Sequence, residues 1–203
     1  MIEVRIVPAS PFARKCRIAA AHLGLLDRVK FVDAHDDPDD RLRTRNPLNK
    51  IPLALLEDGT VLFDSAVIVD FLDHLAGGGK IIPREAGARY RTLTLEALSD
   101  GIMDASVLIV YEGRYRESHQ HSPRWIEMQQ AKIDTALAHL EGSPPAKAGD
   151  GAIDAGQISL ACALGFLDLR LGGAWRAGHP ALVAWLDGFA ARVPSFEATR
   201  APR

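Results

Sequence analysis

Residues 2–15 read IEVRIVPASPFARK, a strand pattern that passes into a helix pattern. Ile2, Val4 and Ile6 alternate with polar residues, which is the period of a half-buried β-strand. Ser10-Pro11 then combines a favoured N-cap with a favoured first helical residue. The segment therefore predicts a strand that is followed closely by a helix.

The segments that follow extend this order to β-α-β-(α)-β-β-α. Residues 29–32 predict a second strand, and a strand-helix-strand unit of this kind is right-handed. The apolar runs 51–56 and 61–63 flank Asp58-Gly59, a strong signal for a hairpin of two antiparallel strands. Asp64-Ser65 then precedes apolar residues at helical spacing, which predicts a helix that begins there.

Beyond Pro83 the sequence carries only helical patterns. The run from Ile158 to Leu171 is apolar nearly all round, so we expect a central buried helix, and Pro180 opens a final one. We place the domain boundary in residues 77–84, between an N-terminal domain of residues 1–76 and a helical domain of residues 84–203. The stripes predicted to face the core are Tyr90, Leu93, Ala97, Leu98, Ile102 and Ala105 in one helix and Trp125, Met128, Ile133, Ala136, Leu137 and Leu140 in the next.

Composition and charge limit the classes of partner. The 203 residues include 24 Lys plus Arg against 26 Asp plus Glu, so no positive excess is available for nucleic acid or an anionic membrane. Cys16 and Cys162 form neither a disulfide framework nor a metal-ligand spacing, which fits a reducing compartment. No apolar run approaches the ~18 residues of a membrane span. We expect a cytoplasmic protein without a nucleic-acid or membrane partner.

Five fragments in this order resemble the glutathione S-transferase superfamily, and its bacterial branch in particular. They are Ser10 to Lys15, Asn46 to Pro52, Leu62 to Ile68, Glu96 to Ala105 and Leu160 to Asp168. The resemblance covers nearly the whole chain. It implies a thioredoxin-like α/β N-terminal domain followed by an all-α C-terminal domain, with glutathione as co-substrate.

The resemblance implies that Ser10 contacts the glutathione thiol. A hydroxyl and free amides at a helix N-terminus stabilise an anion, so a thiolate held there has a lowered pKa. The same serine is also explained as an ordinary helix cap, and both interpretations stay open. Because a serine forms no mixed disulfide with glutathione, conjugation is favoured over reductase chemistry.

The resemblance also implies a cis peptide bond between Ile51 and Pro52. A cis bond there turns the backbone of Ile51 outward, where the cysteinyl segment of glutathione pairs with it as an extra strand. Lys50 is expected either to neutralise a carboxylate of the tripeptide or to be a plain surface lysine. Asp64 and Ser65 start a predicted helix, and the resemblance assigns them to the γ-glutamyl end of glutathione. Their alternative role is an ordinary N-cap.

A pocket for the electrophile is expected between the two domains, where small-molecule sites often lie. The helix after the linker offers apolar and aromatic side chains there, although their spacing also suits core packing. Arg114 suits either the steering of an anionic substrate or a plain surface position. The predicted lining residues are Phe12, Met103, Val107, Tyr111 and Tyr115.

The expected activity is glutathione transfer to a small hydrophobic electrophile, without a metal. His119-Gln120-His121 falls short of a metal site in its spacing. Isomerase, dehalogenase and peroxidase chemistry on the same thiolate stay open, and the resemblance implies a homodimer. The alternative function is a non-catalytic binding or protein-interaction module with the same fold.

Overall fold

A computed structural model describes residues 1–36, 45–146 and 153–201. Its N-terminal part is a four-stranded mixed sheet with the strand order β2-β1-β3-β4 and two helices. The elements are β1 (Ile2–Ile6), α1 (Pro11–His22), β2 (Val29–Asp33), β3 (Leu53–Leu55), β4 (Val61–Leu62) and α2 (Ser65–Leu75), with a 3₁₀ turn at Ala34–Asp36.

The strand pairing agrees with the sequence patterns. β1 runs parallel to β2, with Val4 opposite Phe31, and antiparallel to β3, with Val4 opposite Ala54. β3 and β4 form the predicted hairpin, in which Gly59 adopts a φ of 87°, a left-handed conformation that favours glycine. The further helix expected between β2 and β3, and the acidic run before it, fall mainly in residues 37–44, outside the described ranges.

The C-terminal part is helical throughout the residues that the structure describes. Its central helix is buried along nearly its whole length and begins at a reciprocal cap, in which the Asp154 side chain accepts from the Gln157 amide at 2.8 Å. The predicted fold class, an α/β thioredoxin-like domain followed by an all-α domain, is confirmed. The helices are α3 (Ala86–Tyr115), α4 (Pro123–Gly142), α5 (Ala155–Arg170), α6 (Pro180–Arg192) and α7 (Pro194–Ala198), with 3₁₀ turns at Ser118–Gln120 and Ala174–Gly178.

Two predicted core stripes are wrong in part. Tyr90 in α3 is 68% exposed, and Trp125 and Met128 in the first half of α4 are 38% and 47% exposed. Ala97 is exposed as well. The buried face of α3 is rotated from the predicted stripe because several of its core positions are polar. Those polar core positions are Thr92, Glu96, Ser99, Ser106 and Glu112.

Candidate functional site

Ser10 caps α1 and keeps its hydroxyl proton available. Its Oγ accepts a hydrogen bond from the Ala13 amide at 3.3 Å, and its own amide donates to the Val7 carbonyl at 2.9 Å. A serine hydroxyl accepts through its lone pairs and donates through its single O–H. The cap therefore uses the acceptor side of Ser10 and leaves the donor side for a ligand, so the two roles of this residue are compatible.

The loop before β3 presents the backbone that precedes Pro52. The Ile51–Pro52 peptide bond is cis, and Ile51 lies outside the paired residues of β3. Asn46, which is 1% exposed, holds this loop: its Nδ2 donates to the Lys50 carbonyl at 2.8 Å, and its Oδ1 accepts from the Leu48 amide at 3.0 Å. The Lys50 side chain is exposed. Sequence reasoning did not single out Asn46, because an asparagine in a loop is common.

Asp64 and Ser65 form the start of α2. Asp64 is the N-cap, and its Oδ1 accepts from the Ala66 amide at 3.1 Å. Ser65 is 2% exposed, and its hydroxyl makes no hydrogen bond to any residue of the described ranges. An unengaged hydroxyl beside the free amides of a helix N-terminus suits a carboxylate ligand.

Asp104 on α3 belongs electrostatically to the same region. Partial burial raises the pKa of its carboxyl, Lys50 opposes this effect, and Asp100 and Asp64 add to it. Charged groups at the start of α2 and in the loop before β3 therefore act on a carboxyl in the middle of α3. No sequence pattern pointed to Asp104.

Lys15 of α1 is fully buried in an ionic cluster. Its Nζ lies 3.0 Å from Glu96 Oε1 and 2.8 Å from Asp100 Oδ2, and Ser159 Oγ donates to Asp100 at 2.7 Å. Burial lowers the pKa of Lys15, but the two carboxylates outweigh burial and raise it overall. The cluster ties α1, which carries Ser10, to α3 and α5. Sequence reasoning missed it, since hydropathy patterns place lysine outside.

Arg14 makes a second tie between α1 and the helical domain. Its side chain is nearly buried, with 7% of the residue exposed. The Arg14 Nε donates to Thr199 Oγ1 at 3.3 Å, Nη2 donates to the Phe196 carbonyl, and the guanidinium lies 4.1 Å from the centre of the Phe196 ring. The start of α1 is therefore fixed from both sides by neighbouring basic residues.

The residues predicted to line the electrophile pocket are not equivalent in the structure. Met103 is fully buried, and Phe12 and Val107 are half-buried. Tyr111 and Tyr115 are 43% and 71% exposed and pack edge to face, with ring centres 5.0 Å apart. The predicted pocket on α3 stays a prediction.

A small cavity lies beside Ser10, between the β1–α1 loop, α1, α5 and the segment around Arg200. It is lined by Ser10, Arg14, Cys162, Phe166 and Arg200, among others, and its volume is about 30 Å³. No local sequence pattern pairs the β1–α1 loop with α5, because that contact depends on how the two domains dock.

Neither cysteine has the environment of a reactive thiol. Cys16 and Cys162 are fully buried, and burial raises the pKa of each thiol to about 12. Within residues 1–36, 45–146 and 153–201, no group of three or more His, Cys, Asp or Glu side chains is arranged to hold a metal ion.

Comparison with known proteins identifies the family. The family described as "Glutathione S-transferase, N-terminal domain" matches residues 9–75, and "Glutathione S-transferase, C-terminal domain" matches residues 123–188. The chain belongs to the glutathione S-transferase family. The GST-like protein YibF of Escherichia coli K12 is 30% identical over 197 residues, which cover 96% of each chain.

Solved glutathione transferases share the whole fold. A family member from Pseudomonas fluorescens Pf-5, crystallised with bound glutathione, is 43% identical, with a TM-score of 0.92 and 100% coverage of both chains. The same family member was also crystallised with S-(propanoic acid)-glutathione, and that structure has a TM-score of 0.88. A glutathione S-transferase from Methylobacillus flagellatus KT with glutathione bound is 32% identical, with a TM-score of 0.90 and 100% coverage of both chains. In the described part of this chain, no helix has the length and apolar character to cross a membrane.

Proposed function

We propose that this protein is a glutathione transferase that binds glutathione on its N-terminal domain and activates its thiol at Ser10. The observation that carries the proposal is the geometry of Ser10. Its Oγ already accepts from the Ala13 amide, so its O–H remains available to donate to a ligand at the N-terminus of α1. A thiolate there receives that hydrogen bond and the field of the helix N-terminus.

The other predicted contacts follow the shape of the tripeptide. Ile51, beside the cis bond to Pro52, offers backbone to the cysteinyl segment, and Lys50 neutralises a carboxylate. The Ser65 hydroxyl and amide take the γ-glutamyl carboxylate, while Asp64 takes the ammonium. Glutathione bound in the relatives from P. fluorescens and M. flagellatus supports this assignment.

The reaction is conjugation at sulfur. The thiol loses its proton, and the thiolate sulfur forms a bond to an electrophilic carbon of the second substrate. That carbon either releases a leaving group with its bonding pair, or passes a π pair to its neighbour, which takes up a proton. The S-(propanoic acid)-glutathione of the P. fluorescens structure supports a second substrate joined at sulfur. We further propose a cytoplasmic homodimer, as the resemblance implies.

Calorimetric titration with glutathione tests binding, and ultraviolet absorbance of the bound thiolate against pH tests activation. We expect saturable binding, with a thiol pKa well below that of free glutathione. Binding with an unshifted thiol pKa would instead favour a non-catalytic binding module. No binding at millimolar glutathione would overturn the proposed function.

A further inference from the structure

Arg14 is a buried cation without a carboxylate partner in the described part of the chain. The groups that accept its hydrogen bonds are neutral, the Thr199 hydroxyl and the Phe196 carbonyl. Its neighbour Lys15 is equally buried but faces two carboxylates, those of Glu96 and Asp100. A buried charge without a counter-ion costs free energy, so the burial of Arg14 lowers the stability of the fold unless an anion binds to it. A bound anion is the partner that this arrangement lacks.

One guanidinium nitrogen of Arg14 is free to receive that anion. The two hydrogen bonds use Nε and Nη2, and no described residue accepts from Nη1. Nη1 lies against Gly165 of α5, where an added Cβ would stand only 2.6 Å from it. The glycine therefore leaves room for the guanidinium to occupy this position.

Two adjoining cavities meet at this guanidinium. The smaller, about 30 Å³, begins at Ser10 and has Cys162 and Phe166 as apolar walls. The larger, about 100 Å³, continues under Phe196. Arg14 and Arg200 line both. Since even a benzene-sized cavity measures about 150 Å³, this space suits a chain of a few heavy atoms rather than a large aromatic electrophile.

The acidic residues near the larger cavity form no ion pair with Arg14 among the described residues. Glu197 pairs with Arg200 at 2.7 Å, and Asp168 pairs with Arg176 at 2.6 Å. Asp187 lines the same cavity and acts electrostatically on Arg176. Asp168 and Glu197 therefore form ion pairs with other arginines, and Glu197 acts on Arg14 only through space, without an ion pair to it.

The position of Arg14 relative to Ser10 sets the reach of a ligand. The Arg14 amide donates to the Ser10 carbonyl at 3.0 Å, so the two residues lie one helical turn apart, about 5.4 Å along the axis. Side chains in a helix lean toward its N-terminus, which brings the guanidinium back toward Ser10. Ser10 and Arg14 accordingly line the same small cavity.

We propose that Arg14, assisted by Arg200 at the mouth, binds the carboxylate of the second substrate, a short electrophilic carboxylic acid. This rests on the proposed function. For an α,β-unsaturated acid, the thiolate sulfur bonds to the β-carbon, the π pair moves to the α-carbon, and that carbon takes up the proton released by the thiol. For a β-halogenated acid, the sulfur displaces the halide, which leaves with its bonding pair.

Two probes that differ only at the chain end test the proposal by calorimetry. S-(2-carboxyethyl)glutathione carries the acid, and S-propylglutathione replaces it by a methyl group. We expect wild type to bind the acid about 10- to 100-fold more tightly, as for a hydrogen bond to a charged group. Arg14→Met abolishes this preference, and Arg200→Gln reduces it several-fold.

Two further variants separate anion binding from the anchoring role of Arg14. Gly165→Ala pushes Nη1 from its position and lowers the preference without removing the charge. Thr199→Val removes the bond to Nε but leaves Nη1, so the preference persists. These two variants keep the proposal testable if Arg14→Met does not fold.

The outcomes are distinct. Equal affinity of wild type for the two probes would overturn the role of Arg14 while glutathione binding stands. Failure of both probes and of glutathione to bind would overturn the proposed function itself. A full preference in Gly165→Ala, or an Arg14→Met variant that keeps the preference and raises only the bound thiol pKa, would also refute a carboxylate contact.

Discussion

Ser10 and Ser122 cap their helices with the same geometry. Each hydroxyl accepts a hydrogen bond from the amide three residues on, Ala13 and Trp125 respectively, at 3.3 Å. Each serine is followed by a proline at the first helical position. Only Ser10 lies at the proposed glutathione site. Comparing the two serines therefore distinguishes the effect of helix capping from the effect of thiol activation.

Replacing each serine by alanine tests that separation. Ser10→Ala and Ser122→Ala each lose one cap, which costs about 1 kcal/mol in the free energy of unfolding. Only Ser10→Ala is expected to raise the pKa of the bound glutathione thiol and to lower kcat, by about 10- to 100-fold. Denaturant titration and thiolate absorbance measure the two effects. Equal thiol pKa values in the two variants would remove Ser10 from the chemistry.

Lys15→Met is expected to destabilise the fold strongly. It leaves Glu96 and Asp100 as carboxylates without their shared cation, and breaking a buried pair costs about 3–5 kcal/mol. Lys30→Met, at an exposed lysine of β2, serves as control and changes stability by less than about 0.5 kcal/mol. Urea unfolding measures both. A loss below 1 kcal/mol (about a fivefold change in the unfolding equilibrium) for Lys15→Met would contradict its structural role.

Glu96 gives the stability a defined pH dependence. Burial raises the pKa of its carboxyl above the ordinary 4.5, Lys15 opposes this, and Asp100 adds to it. The folded state therefore keeps the proton longer than the unfolded state, so the contribution of Glu96 is fully present below pH 4.5 and is lost as pH rises through the folded pKa.

Unfolding of wild type and Glu96→Gln from pH 4 upward, in steps of about half a unit, measures this effect. The free energy of unfolding of wild type is expected to fall relative to the variant with a slope of up to about 1.4 kcal/mol per pH unit within that window. Glu127→Gln, at an exposed residue of α4, is the control. Parallel curves for wild type and Glu96→Gln would contradict the raised pKa.

The two thiols are expected to be inert in the native protein. With pKa values of about 12, Cys16 and Cys162 remain protonated at pH 8, and both are fully buried. A chromogenic disulfide reagent should therefore label them only after unfolding. Rapid labelling of one equivalent in native buffer would show that one thiol is accessible.

Ser65→Ala is expected to weaken glutathione binding about tenfold, since a hydrogen bond to a charged carboxylate is lost. The Ser65 hydroxyl has no bond to a described residue to lose, so stability should hold. Ser106→Ala is the control, because the Ser106 hydroxyl donates to the Ile102 carbonyl within α3 at 2.7 Å. Calorimetry measures the affinity, and unchanged binding in Ser65→Ala would remove this residue from the site.

The hydrophobic periodicity and the turn and cap residues of the sequence predicted the architecture. The alternation of β1, the Asp58-Gly59 turn and the apolar run of α5 each specify an element through local geometry, and the structure reproduces all three. The helix start at Asp64 was equally predictable, because a cap depends on a few adjacent residues.

The burial of the basic residues of α1 could not be predicted in the same way. Lys15 and Arg14 are buried because α3, α5 and the segment around Phe196 close over them, and those partners lie far away in sequence. Hydropathy places such residues at the surface, and the same bias rotated the predicted core face of α3. Docking between the domains supplies information that no local pattern contains.

The hydrogen bonds of Arg14 also impose an order of events in the cell. They join residues that are 182 and 185 positions apart. At elongation rates of about 5–20 residues per second, Thr199 emerges roughly 10–40 s after Arg14. During that interval α1 lacks the two hydrogen bonds that Arg14 makes to Phe196 and Thr199. The proposed glutathione site therefore gains this support only late in synthesis, although its residues lie early in the sequence.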